Sequence, residues 1–222
     1  YLQWMNRDGL RTEESFQYTR YLDLRRWTTD FSEMAAFSVH PLPVGSGTDA
    51  REIPVAIVSA TMFGFFDAQP VLGRFFTAEE DTVPLGALVA VLGHGFWQAH
   101  FGGRPDVLGQ SLKIGTGSYT IIGVAPRGLE AIADEAPPAL FIPITAYAGT
   151  FRAGPNVSNY YTRYNWSWMQ MLARRKPGIS VASASADLSR AYRQSYESER
   201  SLNAGGTPAE IARPSAIAGP VQ

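Results

Sequence analysis

The chain has 222 residues, 45% of them hydrophobic and 18% charged, with a formal net charge of -1. That length suits one medium domain or two small ones, and the composition is that of a globular protein with a core of its own, not of a disordered or fibrous chain. The 19 basic residues, all arginine except Lys113 and Lys176, are matched by 20 acids and gather into no basic tract, which excludes nucleic-acid binding through a broad electrostatic footprint. With no cysteine, there is no disulfide, thiolate nucleophile or zinc–thiolate site. No apolar run approaches the roughly 20 residues of a membrane-crossing helix. The N-terminus lacks the order of a signal peptide, and Tyr1 as first residue reads as the start of an excised piece of a longer protein.

Tyr1 to Met5 predicts a short strand, broken by Asn6 to Gly9. Ser15 is placed to cap a helix running to about Trp27, with Phe16 and Leu22 on its apolar side and Arg20, Asp23, Arg25 and Arg26 on its polar one. Asp30 to Met34 fits a further helical turn. Apolar segments at Ala35 to Val44 and Ile53 to Val58 flank the loop GSGTD, the strongest hairpin signal in the chain. Ser59 then precedes ATMFGFF, a short helix, so the first third reads β-α-β-β-α.

Thr77 with Glu80 fits a capping box over an acidic turn. Leu88 to Leu92 predicts a buried strand, and Phe96 to Phe101 an aromatic helical stretch. Asp106 to Gly109 is a tight turn. Ser111 to Ile114 and Tyr119 to Val124 form a hairpin across GTGS, and Ala139 to Ile144 a strand confined by Pro137, Pro138 and Pro143. Ala146 to Asn165 reads as an excursion without regular structure, and Trp166 to Ala173 as a strand. Ser180 caps a helix whose Val181, Ala184, Leu188, Ala191, Tyr192 and Ser195 recur at helical spacing, with Asp187, Arg190 and Arg193 between them. Ile211 to Val221 predicts a terminal strand. Strand–helix–strand ends around a hairpin-rich middle make an α+β domain carrying an insertion.

No catalytic constellation emerges. His94 and His100 have neither helical nor strand ligand spacing. Glu79, Glu80 and Asp81 read as helix-start acids, and His40 has no recognisable serine context. GTGSYT lacks the lysine and following helix of a phosphate loop. Phe16, Tyr18, Tyr21 and Trp27 read as packing onto a sheet. Phe151 to Trp168 holds Tyr160, Tyr161, Tyr164 and Trp166 among arginines without an acid, a composition that fits either a partner-contact surface or a local satellite core. Asn156-Val157-Ser158 and Asn165-Trp166-Ser167 match glycosylation triplets, which matter only in a eukaryotic source.

The segments SFQYTRYLDLRRW, VSATMFGFFDAQPVLGRFFTAEED, VAVLGHGFWQAHFGGRPDVLGQSLKIGTGSYTIIGVAPRGLE, LFIPI and MLARRKPGISVASASADL occur in order along nearly the whole chain. In them the chain resembles the periplasmic core domain of MacB-type ABC transporter permeases, especially FtsX-like permeases of the acidobacterial duplicated type. Most specific are the spacing from Phe65 through Gly73 and Arg74 to Phe75, Val107 to Gln110, and Ile121 to Pro126.

The resemblance implies a domain outside the cytoplasmic membrane, between two transmembrane helices of a bacterial inner-membrane protein. It implies a porter-like subdomain assembled from both chain ends, 1–69 and 141–222, around a β-rich insert at 70–140. Gly73, Arg74, Gly109, Gly123 and Pro126 take structural roles: Gly73 a bend, Arg74 a partner for carbonyls or an acid, Gly109 a tight turn, Gly123 and Pro126 a strand end.

The function implied is noncatalytic coupling of transmembrane movement to cargo or partner handling, without a cofactor. ATP is hydrolysed on a separate cytoplasmic protein or domain. The expected partners are the permease's own transmembrane helices, that ATPase, and an adaptor, a lipoprotein or a cell-wall enzyme. The alternative is an independent periplasmic module that senses a peptide, lipid or small hydrophobe through a cleft at Tyr160, Tyr164 and Trp166.

Overall fold

The computed structural model describes residues 1–129, 137–148, 157, 159–202 and 206–219, in two units. Tyr1–Met34 with Asn159–Gln222 make the first, and Ala35–Ser158 the second. Local chemistry sets the opening hairpin: β1 (Leu2–Asn6) and β2 (Gly9–Glu13) pair antiparallel across Arg7 and Asp8. The Asp8 amide donates to Asn6 Oδ1 at 2.8 Å, and Gly9 takes φ +121°, a conformation open to glycine. β2 escapes sequence reading because its one large apolar residue, Leu10, is 60% exposed and no alternation marks it.

Helix α1 (Tyr18–Trp27) starts after Gln17, without a cap from Ser15. Phe16 is held extended against Met169: its amide donates to the Met169 carbonyl at 2.6 Å and its carbonyl accepts the Trp168 amide at 3.1 Å. The buried stripe is Gln17, Tyr18, Arg20, Tyr21 and Leu24. Two side assignments reverse: Arg20 is buried, and Leu22 is exposed. Asp30 to Met34 forms no helical turn but opens strand β3 (Phe31–Val44). Tertiary pairing overrides the local preference, since the Lys176 amide donates to the Asp30 carbonyl at 2.9 Å and Ser32 Oγ to the Arg174 carbonyl at 3.2 Å.

β3 continues into the second unit, where it pairs antiparallel with β4 (Arg51–Val58) across the expected loop, Phe37 opposite Val58 and Val44 opposite Arg51. Then follow α2 (Thr61–Phe65), β5 (Leu72–Gly73), β6 (Val89–Leu92), α3 (His94–Phe101), β7 (Ser111–Ile114), β8 (Gly117–Val124) and β9 (Leu140–Pro143). The sheet runs β3-β4-β9-β6-β8-β5, with β7 on β8 and touching β3 at Val44. It is mixed, because β4 with β9 and β6 with β8 are parallel. Val55 to Val58, Ala90 to Leu92 and Leu140 to Ile142 are all fully buried, the continuous apolar runs of strands covered on both faces. On α2, Phe63 stacks on Phe75 at 3.9 Å and meets Phe76 and Phe141 edge-on at 4.9 and 6.2 Å.

The chain returns to the first unit with α4 (Asn159–Thr162) inside the stretch read as irregular; Phe151, Asn156 and Ser158 lie outside the described residues. β10 (Gln170–Arg175) begins later than Trp166 and lies beside the opening of β3. α5 (Val181–Leu202) follows Ser180, whose Oγ accepts the Ser183 amide at 3.1 Å as a cap does. Its buried face is Ala184, Asp187, Ala191, Tyr192, Ser195 and Tyr196; Val181 is exposed and Leu188 half-buried, so the apolar stripe predicted from spacing is rotated toward Asp187.

The expected terminal strand divides into α6 (Ala209–Ala212) and the two-residue β11 (Ser215–Ala216), with Val221 outside the described residues. Pro208 and the helix formers after it favour one helical turn, which Arg213 ends at φ +47°. β11 pairs with β1, Leu2 opposite Ala216. Among the described residues, no helix is long and apolar enough to cross a membrane.

Candidate functional site

In the first unit α1 and α5 are joined through polar side chains. Arg20 is 3% exposed, and a buried guanidinium needs partners. It donates from Nη1 to Ser195 Oγ at 2.7 Å and from Nη2 to Glu199, between the rings of Tyr164 and Tyr192 with centroids 4.7 and 5.0 Å from its central carbon. Ser195 passes its own proton to Asp23, whose Oδ2 also accepts the Tyr164 hydroxyl at 2.5 Å. Burial, reinforced by that carboxylate, pushes the Tyr164 phenol far above its ordinary pKa. It stays protonated and serves as a fixed donor.

Tyr160, Tyr161 and Tyr164 are all buried here. Tyr161 meets Tyr18 edge-on at 5.2 Å, and Tyr160 meets Trp166 at 4.0 Å. Trp166, half-buried, is the member of the set that keeps access to solvent. A cleft lined by Tyr160 and Tyr164, the expectation of the sensing alternative, is not what their burial provides.

Asp187 escapes sequence reading as a functional group. Its Oδ2 accepts the amides of Thr29 and Asp30 at 2.7 and 2.9 Å, and Arg190 donates to Oδ1 at 2.5 Å. Burial opposes its ionisation, but these bonds outweigh burial and hold its pKa below the ordinary carboxylate value. Two amides after a helix end explain why this acid, read as lying between the apolar positions, is buried. No signal in one sequence links positions so far apart.

Gly73, Arg74, Gly109, Gly123 and Pro126 lie in the second unit. Gly73 on β5 faces Gly123 on β8. A Cβ on Gly73, φ +67°, would stand 2.2 Å from the Ile122 carbonyl oxygen, and one on Gly123 would stand 2.1 Å from that of Arg74. Neither position has room for a side chain. The register slips between Ala90 and Val91 so that Ile122 is an extra residue on β8, and its carbonyl accepts the Arg74 amide at 2.9 Å. Arg74 forks onto Glu80 at 2.7 and 2.8 Å and donates to the Phe75 carbonyl at 3.1 Å. The guanidinium bond lowers the Glu80 pKa, and Glu80 Oε2 also accepts the Thr77 amide at 2.9 Å. Gly109, φ +80°, donates its amide to the Ile121 carbonyl at 2.8 Å, and Pro126 follows the end of β8.

Neighbouring polar groups have structural partners too. Asp81 accepts the Ala60 and Thr145 amides at 3.0 and 3.1 Å and the Thr145 hydroxyl at 2.8 Å. His94 packs edge-on against Trp97, and His100 stacks on Phe96 at 4.1 Å. His40 does meet a serine: Nε2 lies 2.8 Å from Ser38 Oγ two residues away, and the ring stacks on Tyr147. GTGS is the β7–β8 turn. Among the described residues, no group of histidines and acids is gathered to hold a metal ion.

The described residues form a mixed α/β fold, and the polar groups named above are partnered by side chains and backbone of the chain itself. The chain belongs to the family of MacB-like periplasmic core domains, which it matches over residues 3–191, and is a noncatalytic domain of ABC-transporter permeases. It is 41% identical over 75 residues, 33% of this chain, to the macrolide export ATP-binding/permease protein MacB of Nitrosomonas europaea, and the match spans 11% of that relative.

The fold is shared with the periplasmic region of MacB from Actinobacillus actinomycetemcomitans, at 12% identity and TM-score 0.61 over 93% of this chain and 92% of that one. It is shared as well with the extracellular domain of the noncanonic ABC-type transporter YknZ from Gram-positive bacteria, at 13% identity and TM-score 0.62 over 88% and 93%.

Proposed function

We propose that this domain couples movement of its permease's own transmembrane helices to handling of cargo or a partner protein outside the cytoplasmic membrane. Membership of the family over residues 3–191 carries the reading. ATP is then hydrolysed by a separate cytoplasmic nucleotide-binding protein or domain, and the outer partner is an adaptor, a lipoprotein or a cell-wall enzyme. The protein sits in a bacterial inner membrane with this domain on the periplasmic side. Supporting this, the Ile217 amide donates to the Tyr1 carbonyl at 2.9 Å, so the first and last described stretches of the domain lie side by side.

The finer architecture we propose is a porter-like subdomain from 1–69 and 141–222 around a β-rich insert at 70–140. The presence of both chain ends in one unit supports it, as do strands β5 to β8 within the insert, while the units themselves change at Met34 and Ser158. Trp166, backed by Tyr160, is the member of the aromatic set offered to a partner.

A cysteine at Ser46, exposed in the β3–β4 loop, tests the placement in the full-length protein with other cysteines removed. A maleimide that cannot cross the inner membrane should label it in cells with a permeabilised outer membrane. Labelling only after lysis would overturn the reading.

A further inference from the structure

The small sheet of the first unit runs β11-β1-β2, and its two edges differ. At β11 the Ala216 amide donates to Ser189 Oγ at 2.9 Å and the Ala216 carbonyl accepts from the same hydroxyl at 3.1 Å, so α5 closes that edge. β2 is the other edge, and among the described residues no strand lies beyond it. Neither a proline nor a bulge, two common protections of an open edge, interrupts it.

The groups that β2 leaves open follow from the alternation of an antiparallel ladder. The Ile217 amide donates to the Tyr1 carbonyl at 2.9 Å, so odd-numbered residues of β1 turn their backbone groups to β11 and Leu2, Trp4 and Asn6 turn theirs to β2. The partners of these three are Glu13, Arg11 and Gly9. The amides and carbonyls of Leu10 and Thr12 therefore point away from β1, and among the described residues nothing pairs with them. Both residues are exposed.

The strand is complementary to itself. A second β2 laid antiparallel about Arg11 puts the partner's Thr12 opposite Leu10 and the partner's Leu10 opposite Thr12. Every outward amide then meets an outward carbonyl, whereas a slip of two residues either way leaves one residue of each strand without such a match. On one face Met5 and Leu10, cross-strand neighbours exposed by 38% and 60%, continue onto the partner's Thr12. On the other face Arg11 stands opposite the partner's Arg11. Acids offset these like charges from both sides, because Asp8 of the same strand lies 3.1 Å from Arg11 and the partner's Glu13 falls on the diagonal.

We infer that β2 is a docking edge for the β2 of a second copy of this chain, which joins the two three-stranded sheets into one of six strands about a twofold axis. Backbone hydrogen bonds hold the contact and little side-chain area is buried. Association of free copies is therefore weak, on the order of 1 mM, and becomes substantial where copies are held close together. The inference does not rest on the coupling role proposed above, and its test reads strand register instead of transport.

The chain has no cysteine, so single cysteines report the register in purified full-length protein from which any others have been removed. Residues that face each other across a non-hydrogen-bonded antiparallel pair lie within disulfide reach. Under mild oxidation Arg11→Cys should form a disulfide-linked dimer about tenfold faster than Ser46→Cys, an exposed loop position that measures collision alone. Leu10→Cys and Thr12→Cys should each stay at the Ser46→Cys rate by themselves, because like positions are then too far apart. Co-expressed under different tags, those two variants should cross-link to each other. Thr12→Pro removes an outward donor and no bond to β1, so adding it to Arg11→Cys should return cross-linking to the collision rate with the melting temperature kept. If Thr12→Pro does not fold, the co-expressed pair decides. Cross-linking of Arg11→Cys no faster than that of Ser46→Cys overturns the inference, and is the result expected if the edge takes another protein's strand or none. So does fast cross-linking of Leu10→Cys by itself, a co-expressed pair at the collision rate, or cross-linking that survives Thr12→Pro in the folded protein.

Discussion

Asp187 carries a cost out of proportion to its size. Its carboxylate terminates two backbone amides, at Thr29 and Asp30, that follow α1 and have no helical acceptor. Asp187→Ala leaves both amides buried against α5 without an acceptor and should destabilise the chain by about 2–4 kcal/mol, read by urea denaturation. Asp187→Asn keeps one acceptor oxygen and should cost less. The native pKa is depressed, so the stabilisation is complete above the unfolded value near 4 and is lost as pH falls through the folded value. Melting temperatures from pH 7 to 3 should therefore fall less steeply in Asp187→Asn than in the parent, after matching at neutral pH. Glu80 is depressed in the same sense, but its partner Arg74 is more than half exposed, so that pair contributes at most about 1 kcal/mol.

At the level of elements, the β5–β8 crossing rests on glycine for two separable reasons. Gly73 and Gly123 lack space, whereas a Cβ on Gly109 would meet nothing within 4 Å and only its φ is unfavourable. Gly109→Ala should then cost about 1–2 kcal/mol. Gly73→Ala and Gly123→Ala must push the paired strands away from each other and should each cost about 3 kcal/mol or more. Equal losses in all three melting curves would refute the close-approach argument.

The elements that sequence reading placed well are those set by neighbours in the chain. The β3–β4 and β7–β8 hairpins have glycine loops between apolar runs, and α5 has Ser180 before it. The misplacements share a different cause. Phe16 is pinned by Met169, β3 opens against Arg174 and Lys176, and Arg20 is drawn inward by Ser195 and Glu199. Each depends on a partner more than a hundred residues away, which no local pattern reports. The tyrosines from Tyr160 are visible as an aromatic stretch, but composition alone does not say which side of such a stretch is buried.

Over the whole molecule, the first unit is closed by the two ends of the chain meeting. Around β11, Ala216 exchanges hydrogen bonds with Ser189 Oγ at 2.9 and 3.1 Å, the Ala218 amide donates to Ser185 Oγ at 3.1 Å, and Tyr1 and Ile217 exchange another pair. At about 1 kcal/mol each, a chain ending at Leu202 should lose on the order of 3–5 kcal/mol, before counting the buried Ala212 and Ala216. Hydrogen exchange shows where the loss falls. The amides of β1 should lose protection first, because β11 is the partner on one side of that strand, and those of α5 near Ser185 and Ser189 should follow. If β1 and α5 keep their protection in the shortened chain, the meeting of the ends is incidental. If they lose it, pairing with β11 is what holds β1 and the adjoining part of α5 in place.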